Sequence, residues 1–169
     1  AAYNEFELLP EKVKNIRQLN YPKGKLDVVF VTDGSDDGTD TYLKEHTDFT
    51  VLHQAGRSGK SAALNRAMKE VRTPITVFTD ANTFLHEDAV LRLVQPYSDH
   101  QVGAISGEKR VGITDTEKAH GAGEGLYWRY ESALKNWDSH VYTVVGAAGE
   151  LFSVRTELYE EVPNDTILD

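Results

Sequence analysis

The stretch Leu26-Asp-Val-Val-Phe-Val-Thr-Asp-Gly-Ser-Asp-Asp-Gly-Thr39 decides the fold class. Its first six residues are rich in β-branched and aromatic side chains, which is typical of a strand buried on both faces. A polar, glycine-containing loop begins at Asp33, and the pattern from Thr39 to His46 is that of a short helix. A buried strand, a polar loop and a helix in succession indicate one unit of an α/β protein.

The same alternation continues on both sides of this stretch. The spacing of apolar residues predicts helices over 6–19, 60–71 and 87–94, and strands over 49–53, 75–78, 102–106 and 150–155. After Gly107 the rhythm changes, and a longer helix is predicted over 124–137. We therefore expect a Rossmann-like, mainly parallel central sheet flanked by helices, in three α/β/α layers. Ligands of such sheets bind outside the carboxyl ends of the strands, which directs attention to the loops 2–5, 33–38, 54–60 and 80–83.

Composition excludes several classes of protein. The chain has 169 residues, the size of one domain, and 40% of them are hydrophobic, enough for a core. It contains no cysteine, which rules out disulfides and thiol chemistry, and no apolar run long enough to span a membrane. The formal net charge of −9 argues against a nucleic-acid partner. That charge lies almost entirely after residue 85, so the first half can still present a positive site around Arg57, Lys60 and Arg66.

Two loops resemble known ion and phosphate motifs. Asp33 to Gly38 has the oxygen ligands that open a calcium loop, but Lys44 occupies the position of its bidentate glutamate, so we reject an EF-hand. Gly59-Lys60-Ser61 follows a strand and opens a helix, as in a phosphate-binding P-loop. The first glycine of that motif is replaced by Gln54. A P-loop-like nucleotide hydrolase therefore stays open as an alternative.

The segment Asp80-Ala-Asn82 follows another predicted strand. Magnesium and manganese take carboxylate and amide oxygens and commonly bridge them to phosphate. Asp and Asn also cap turns after strands, so the pair by itself does not decide between a metal site and a turn.

Taken in order, the loops are similar to the catalytic domain of family 2 glycosyltransferases, which has the GT-A fold. The resemblance rests on Ala2-Tyr-Asn-Glu5, Tyr21-Pro22, Val31 to Thr39, Gly59 to Asn65 and Phe78-Thr-Asp-Ala-Asn82, followed by Tyr127 to Glu131 and Gly146-Ala-Ala-Gly149 with Arg155. The last two points of similarity favour the polysaccharide-synthase branch, which makes poly-N-acetylglucosamine, hyaluronan, chitin and cellulose.

The resemblance implies a nucleotide-sugar donor, commonly a UDP-sugar, and a Mg²⁺ or Mn²⁺ cofactor. It assigns nucleotide binding to Ala2, Tyr3, Glu5, Asp33, Lys60 and Asp80, and metal binding to Asp80 and Asn82. The family commonly has a second aspartate where this chain has Asn82. A neutral ligand weakens metal binding or leaves Asp80 as the principal contact.

The resemblance also implies a carbohydrate acceptor and one direct displacement that inverts the anomeric centre. Its general base is a carboxylate of an acidic pair, and the matching residue is Asp169 or the residue that would follow it. Acceptor contacts fall on Glu131, Gly149, Glu150 and Arg155. Glu131 is equally explained as an exposed helix acid, and Gly146 to Gly149 as a tight turn before a strand.

We expect residues 1–169 to be a single catalytic domain trimmed at both ends. Its nucleotide-sugar half would cover about 1–107 and its acceptor half about 108–169. By resemblance, the parent protein is bound to the membrane with this domain on the cytoplasmic face. A fragment without its base would bind nucleotide without turning over, so an inactive nucleotide-binding module is a further alternative.

Overall fold

The computed structural model describes residues 1–107, 149–164 and 166. It confirms the alternation of helices and strands predicted from the sequence. The helices are α1 (Leu9–Arg17), α2 (Thr39–His46), α3 (Lys60–Met68) and α4 (Ala89–Val94), and the strands are β1 (Val29–Asp33), β2 (Thr50–Gln54), β3 (Ile75–Thr79), β4 (Ala104–Ser106) and β5 (Leu151–Arg155). Short 3-10 turns cover Phe6–Leu8, Gln95–Ser98 and Thr156–Leu158.

The strands form two hydrogen-bonded groups. β1 and β2 pair in parallel, with Val29 opposite Thr50 and Asp33 opposite Gln54. β5 lies between β3 and β4 and runs antiparallel to both. The mainly parallel sheet predicted from the alternation therefore acquires an antiparallel strand after residue 148.

The first two residues connect these groups. Ala2 forms a parallel bridge with Thr32, and its N–H donates to the carbonyl of Val31 at 2.9 Å. The Ala1 carbonyl accepts the N–H of Ala81 at 3.1 Å. The carboxyl ends of β1 and β3 are thereby held on either side of one short segment.

The core lies beneath β1. Leu9, Val13, Phe30 and Leu43 form a buried cluster that α1, α2 and β1 share. Burial of such side chains is worth about 1.5–3 kcal/mol each, and it fixes the helices against the strand whose end carries Asp33. A second apolar contact stacks Phe78 of β3 on Phe152 of β5, with ring centroids 4.6 Å apart.

Among the described residues, no helix has both the length and the apolar character that crossing a membrane requires.

Candidate functional site

Side chains of the loop after β1 hold the segment at the chain's start. The side chains of Asn4 and Asp36 are joined by an Nδ2–H···Oδ1 hydrogen bond of 2.9 Å, and the Asp36 N–H donates to Asn4 Oδ1 at 3.1 Å. The N–H of Glu5 donates to the Thr39 hydroxyl at 3.0 Å, and that of Phe6 to Asp37 at 3.0 Å. Residues 2–6 and 33–39 therefore form one rigid polar rim at the carboxyl end of β1.

Asp33 anchors the loop that leads into α3. One of its carboxylate oxygens accepts the N–H groups of both Ser58 and Gly59, each at 2.7 Å. The other lies 3.5 Å from the Arg66 guanidinium, and Asp33 is only 5% exposed. Arg66 also donates to the Thr32 carbonyl at 2.8 Å. The predicted contact of Asp33 with a nucleobase stays a prediction, and the observed bonds show that this carboxylate sets the position of the lysine loop.

These bonds also argue against the P-loop alternative. A P-loop directs the backbone N–H groups before its lysine at phosphate. Here the N–H groups of Ser58 and Gly59 point at Asp33 instead.

Lys60 and Asp80 form an ion pair between the start of α3 and the end of β3. The ammonium nitrogen lies 2.9 Å from one Asp80 oxygen and 3.0 Å from the other. The two side chains are 32% and 25% exposed, so the pair faces a partly open surface. Burial, and after it the negative charges of Asp80 and Asp37, raises the pKa of the nearby Glu5 carboxyl. The site thus concentrates carboxylates around a lysine.

The segment that carries Asp80 and Asn82 rests on α1. The buried Lys12 ammonium donates to the carbonyl of Thr83. Asn15 pairs with both backbone groups of Leu85, accepting its N–H at 2.8 Å and donating to its carbonyl at 2.7 Å. The sequence signals this support only through a lysine and an asparagine on the face of α1 that also carries Leu9 and Val13.

Asp80 and Asn82 offer the oxygen ligands that hard divalent cations prefer. Asn82 is exposed at the turn after β3. Within the described ranges there is no group of three or more His, Asp or Glu side chains that could hold a metal ion. The donor set fits a cation that keeps most of its coordination sphere for other ligands, as magnesium does when it is bound through one or two carboxylates and substrate phosphates.

Tyr3 and Arg57 provide a flat surface beside the lysine loop. Tyr3 is 42% exposed, and the Arg57 guanidinium carbon lies 4.0 Å from the centroid of its ring. Ala2, in contrast, is buried and bonded to β1. Of the residues predicted for nucleotide binding, the structure brings Lys60 and Asp80 into contact, with Glu5 in their electrostatic field and Asp33 bonded to the lysine loop.

Three of the predicted acceptor residues lie at or next to opposite ends of β5. Leu151 is opposite Thr79, so Gly149 and Glu150 precede β5 at the carboxyl end of β3, the end that Asp80 follows. Arg155 is opposite Ile75 at the far end, where its guanidinium donates to the backbone carbonyls of Tyr97, Asp99 and Val102. The structure does not bring Arg155 to the site, and its acceptor contact stays a prediction.

Several predictions lie outside the described residues. They are the helix over 124–137 with Glu131, Gly146 with the two alanines that follow it, and the carboxylate of Asp169.

Comparison with known proteins places this geometry in context. The model of the family "Glycosyl transferase family 2" matches residues 1–162. Poly-beta-1,6-N-acetyl-D-glucosamine synthase of Staphylococcus aureus (strain COL) is 30% identical over 115 residues, which cover 66% of this chain and 27% of that protein. Beta-monoglucosyldiacylglycerol synthase of Nostoc sp. is 29% identical over 161 residues, covering 89% of this chain and 32% of the relative. The chain thus corresponds to about a third or less of these relatives' length.

Solved structures support the same fold. The mannosyltransferase PcManGT from Pyrobaculum calidifontis, in complex with GDP-Man and Mn²⁺, is 30% identical with a TM-score of 0.80, and the match covers 99% of this chain and 47% of that one. Glucosyl-3-phosphoglycerate synthase from Mycobacterium tuberculosis is 20% identical with a TM-score of 0.61, covering 93% of this chain and 55% of that one, a likeness of fold alone.

Proposed function

Because the chain belongs to glycosyl transferase family 2, we propose that it moves a sugar from a nucleotide-sugar donor, a UDP-sugar, to a hydroxyl of a glycan acceptor with inversion. The observation that carries this proposal is the contact of Lys60 with Asp80 at the carboxyl end of β3, with the Tyr3 ring and the Asp33-anchored loop beside it. A cation-binding carboxylate, a phosphate-binding lysine and an exposed aromatic ring are the three contacts that a nucleoside diphosphate needs.

In this proposal the nucleoside lies along residues 2–5, with its base against the Tyr3 ring, and Lys60 receives the diphosphate. Asp80 and Asn82 would hold Mg²⁺ or Mn²⁺, which would neutralise the charge that develops on the leaving diphosphate. The acceptor enters past Gly149 and Glu150, next to the end of β3.

The transfer is a single displacement. The acceptor oxygen forms a bond to the anomeric carbon while the bond from that carbon to the diphosphate oxygen breaks. A carboxylate takes the hydroxyl proton, and we assign this task to Asp169 or to an acid that follows it. Binding of the complete protein to the cytoplasmic face of a membrane stays a prediction from the synthase resemblance.

The donor nucleotide has a specific second candidate. The mannosyltransferase whose match covers 99% of this chain at 30% identity was solved with GDP-Man. This favours testing a guanosine donor in addition to a uridine donor. The base stacks on an aromatic ring in either case, so Tyr3 does not by itself choose between them.

The proposal is tested by titrating UDP-GlcNAc, UDP-glucose and GDP-mannose into the protein by calorimetry, with Mn²⁺ and with EDTA. We expect one donor to bind with Mn²⁺ and to bind at least tenfold more weakly in EDTA, and Asp80→Ala to abolish that difference. Lys69→Ala, a change in an exposed surface ion pair at the other end of α3, is the matched control. Failure of the wild-type protein to bind any nucleotide sugar, or an unchanged metal effect in Asp80→Ala, would refute the proposal.

A further inference from the structure

Helix α3 has two roles in the described structure. Its first residue, Lys60, pairs with Asp80. One turn and more beyond, Asn65 faces the segment that follows the last 3-10 turn. Asn65 is 7% exposed, so its amide is desolvated and must find partners inside the protein.

Asn65 uses both ends of its amide on that segment. Its oxygen accepts the Tyr159 hydroxyl at 2.7 Å and the Val162 N–H at 3.3 Å. Its nitrogen donates to the Val162 carbonyl at 2.8 Å and lies 3.3 Å from the Asn164 side-chain oxygen. One side chain therefore makes the hydrogen bonds to the N–H and carbonyl of Val162 that a neighbouring strand would otherwise make.

Ser61 adds a second attachment on the same helix. It is 1% exposed, and its hydroxyl donates to the carbonyl of Thr166. Residues 159–164 and 166 have no regular secondary structure, so side chains of α3 fix their course. The ring of Tyr159 also packs on Phe78 of β3 at 5.8 Å, which ties the segment to the strand that ends in Asp80.

Chain length links this attachment to the chemistry. Asp169 comes three positions after Thr166 in the sequence, and three extended residues span at most about 11 Å. An acid at position 169 is therefore joined by at most that length of chain to Thr166, whose carbonyl accepts the Ser61 hydroxyl, and Ser61 adjoins Lys60. The donor lysine and the attachments of the segment that precedes the proposed base thus belong to the same helix.

On this basis we propose that Asn65 and Ser61 are positioning residues for transfer: they hold residues 159–164 and 166 so that the carboxylate after them meets the acceptor hydroxyl beside a donor held by Lys60. The inference rests on the proposed function. It predicts that loosening the segment at Asn65 affects the chemical step while the donor site around Lys60, five residues earlier on the helix, keeps its affinity.

The test compares Asn65→Ala, Tyr159→Phe and Lys69→Ala in the complete protein. A misplacement of about 1 Å costs on the order of 100-fold in rate, so we expect kcat for sugar transfer to fall 30- to 100-fold in Asn65→Ala. The donor dissociation constant should change less than twofold. Tyr159→Phe keeps the ring on Phe78 and removes one bond to Asn65, and we expect a 3- to 10-fold loss. It provides the readout where Asn65→Ala does not fold.

Lys69→Ala is the matched control, because it removes an exposed ion pair of 3.5 Å with Glu161 on the same segment. Hydrogen exchange of residues 159–166 should rise in Asn65→Ala and stay at the wild-type level in Lys69→Ala. Wild-type kcat in both Asn65→Ala and Tyr159→Phe, or a parallel loss of kcat and donor affinity, would overturn the inference alone. Absence of transfer by the wild-type protein with every donor would overturn the proposed function, and the inference with it.

Discussion

Replacing Lys60 by methionine should strengthen the binding of Mn²⁺ to the nucleotide-free protein. The Lys60 ammonium lies 2.9 and 3.0 Å from the two Asp80 oxygens and so occupies the carboxylate that the proposed metal needs. A cation that binds there must first displace the ammonium. Methionine has nearly the same length and no charge, so it removes the competitor while keeping the packing of the side chain.

The magnitude follows from charge, distance and exposure. Two unit charges about 4 Å apart interact by about 4 kcal/mol at an effective dielectric constant of about 20, and by about 1 kcal/mol in water. The side chains of Lys60 and Asp80 are 32% and 25% exposed, so solvent screening reduces the interaction and places the pair between these limits. We take about 1.5 kcal/mol, which is roughly a tenfold change in the dissociation constant for Mn²⁺.

The assay is a Mn²⁺ titration in which electron paramagnetic resonance measures the free ion. Lys60→Met should lower the Mn²⁺ dissociation constant about tenfold without nucleotide, while weakening the binding of the donor itself. Lys60→Arg, which keeps the cation, should resemble the wild type, and Lys69→Met controls for a charge lost elsewhere on the chain. Unchanged or weaker Mn²⁺ binding in Lys60→Met would show that the lysine does not compete for this carboxylate.

Three further predictions concern stability. Burial raises the pKa of Glu5, so the folded state holds this proton to higher pH than the unfolded state does. Stability therefore falls as pH rises through the range in which an ordinary glutamate titrates. In a calorimetric scan, Glu5→Gln should melt at a higher temperature than the wild type at pH 7 and at the same temperature near pH 3.5. Burial lowers the pKa of Lys12 to about 8, so between about pH 8 and 10 the unfolded state binds more protons than the folded state, and stability rises with pH. Urea titrations should show this rise in the wild type and not in Lys12→Met. Gly34 has φ +75°, and an added Cβ would lie 2.8 Å from Arg57 Cβ. Gly34→Ala should therefore lower the free energy of unfolding in urea by about 2–4 kcal/mol. Gly56→Ala, whose Cβ would have no neighbour within 4 Å, should leave stability nearly unchanged.

The spacing of apolar residues predicted an element's bounds well where a local side-chain contact marks its start. α2 has the predicted bounds, Thr39–His46, because Asp37 accepts the N–H of Thr39 and so fixes the start of the helix. β1 was predicted to end at residue 31 but continues to Asp33. The added residues are polar, and they join the strand because Thr32 and Asp33 pair with His53 and Gln54 of β2. Register with a partner strand is tertiary information that no local pattern contains.

α3 ends earlier than its apolar spacing predicted, for a similar reason. It stops at Met68 rather than Val71, and the Arg72 guanidinium donates to the carbonyls of Lys69 and Val71 beyond its end. A side chain that satisfies carbonyls after the helix removes the gain from a further turn. The spacing of apolar residues could not reveal this competitor.

Order along the chain predicted the loops of the site, while the partners of each side chain depended on the fold. The sequence predicts both Asp33 and Asp80 at the ends of strands. The structure gives them different tasks, since Asp33 is enclosed by amides of the lysine loop and Asp80 faces Lys60. Lys12 and Asn65 went unassigned, because a polar residue on a helix face identifies a buried contact only when the opposing segment is known.

Although the net charge of the chain is −9, the ion pair of Lys60 and Asp80 is locally neutral, and it couples the binding of the donor to the binding of the metal. Without Lys60, the field of Glu5 and Asp80 would repel a diphosphate, and with Lys60 held on Asp80 a metal ion is repelled instead. A diphosphate that draws the ammonium away frees the carboxylate, and a metal there then attracts the diphosphate. Each ligand should therefore raise the affinity of the other, and by the same factor, because the coupling free energy is reciprocal. Lys60→Met, in which Asp80 is free from the start, should reduce that factor measured from either side.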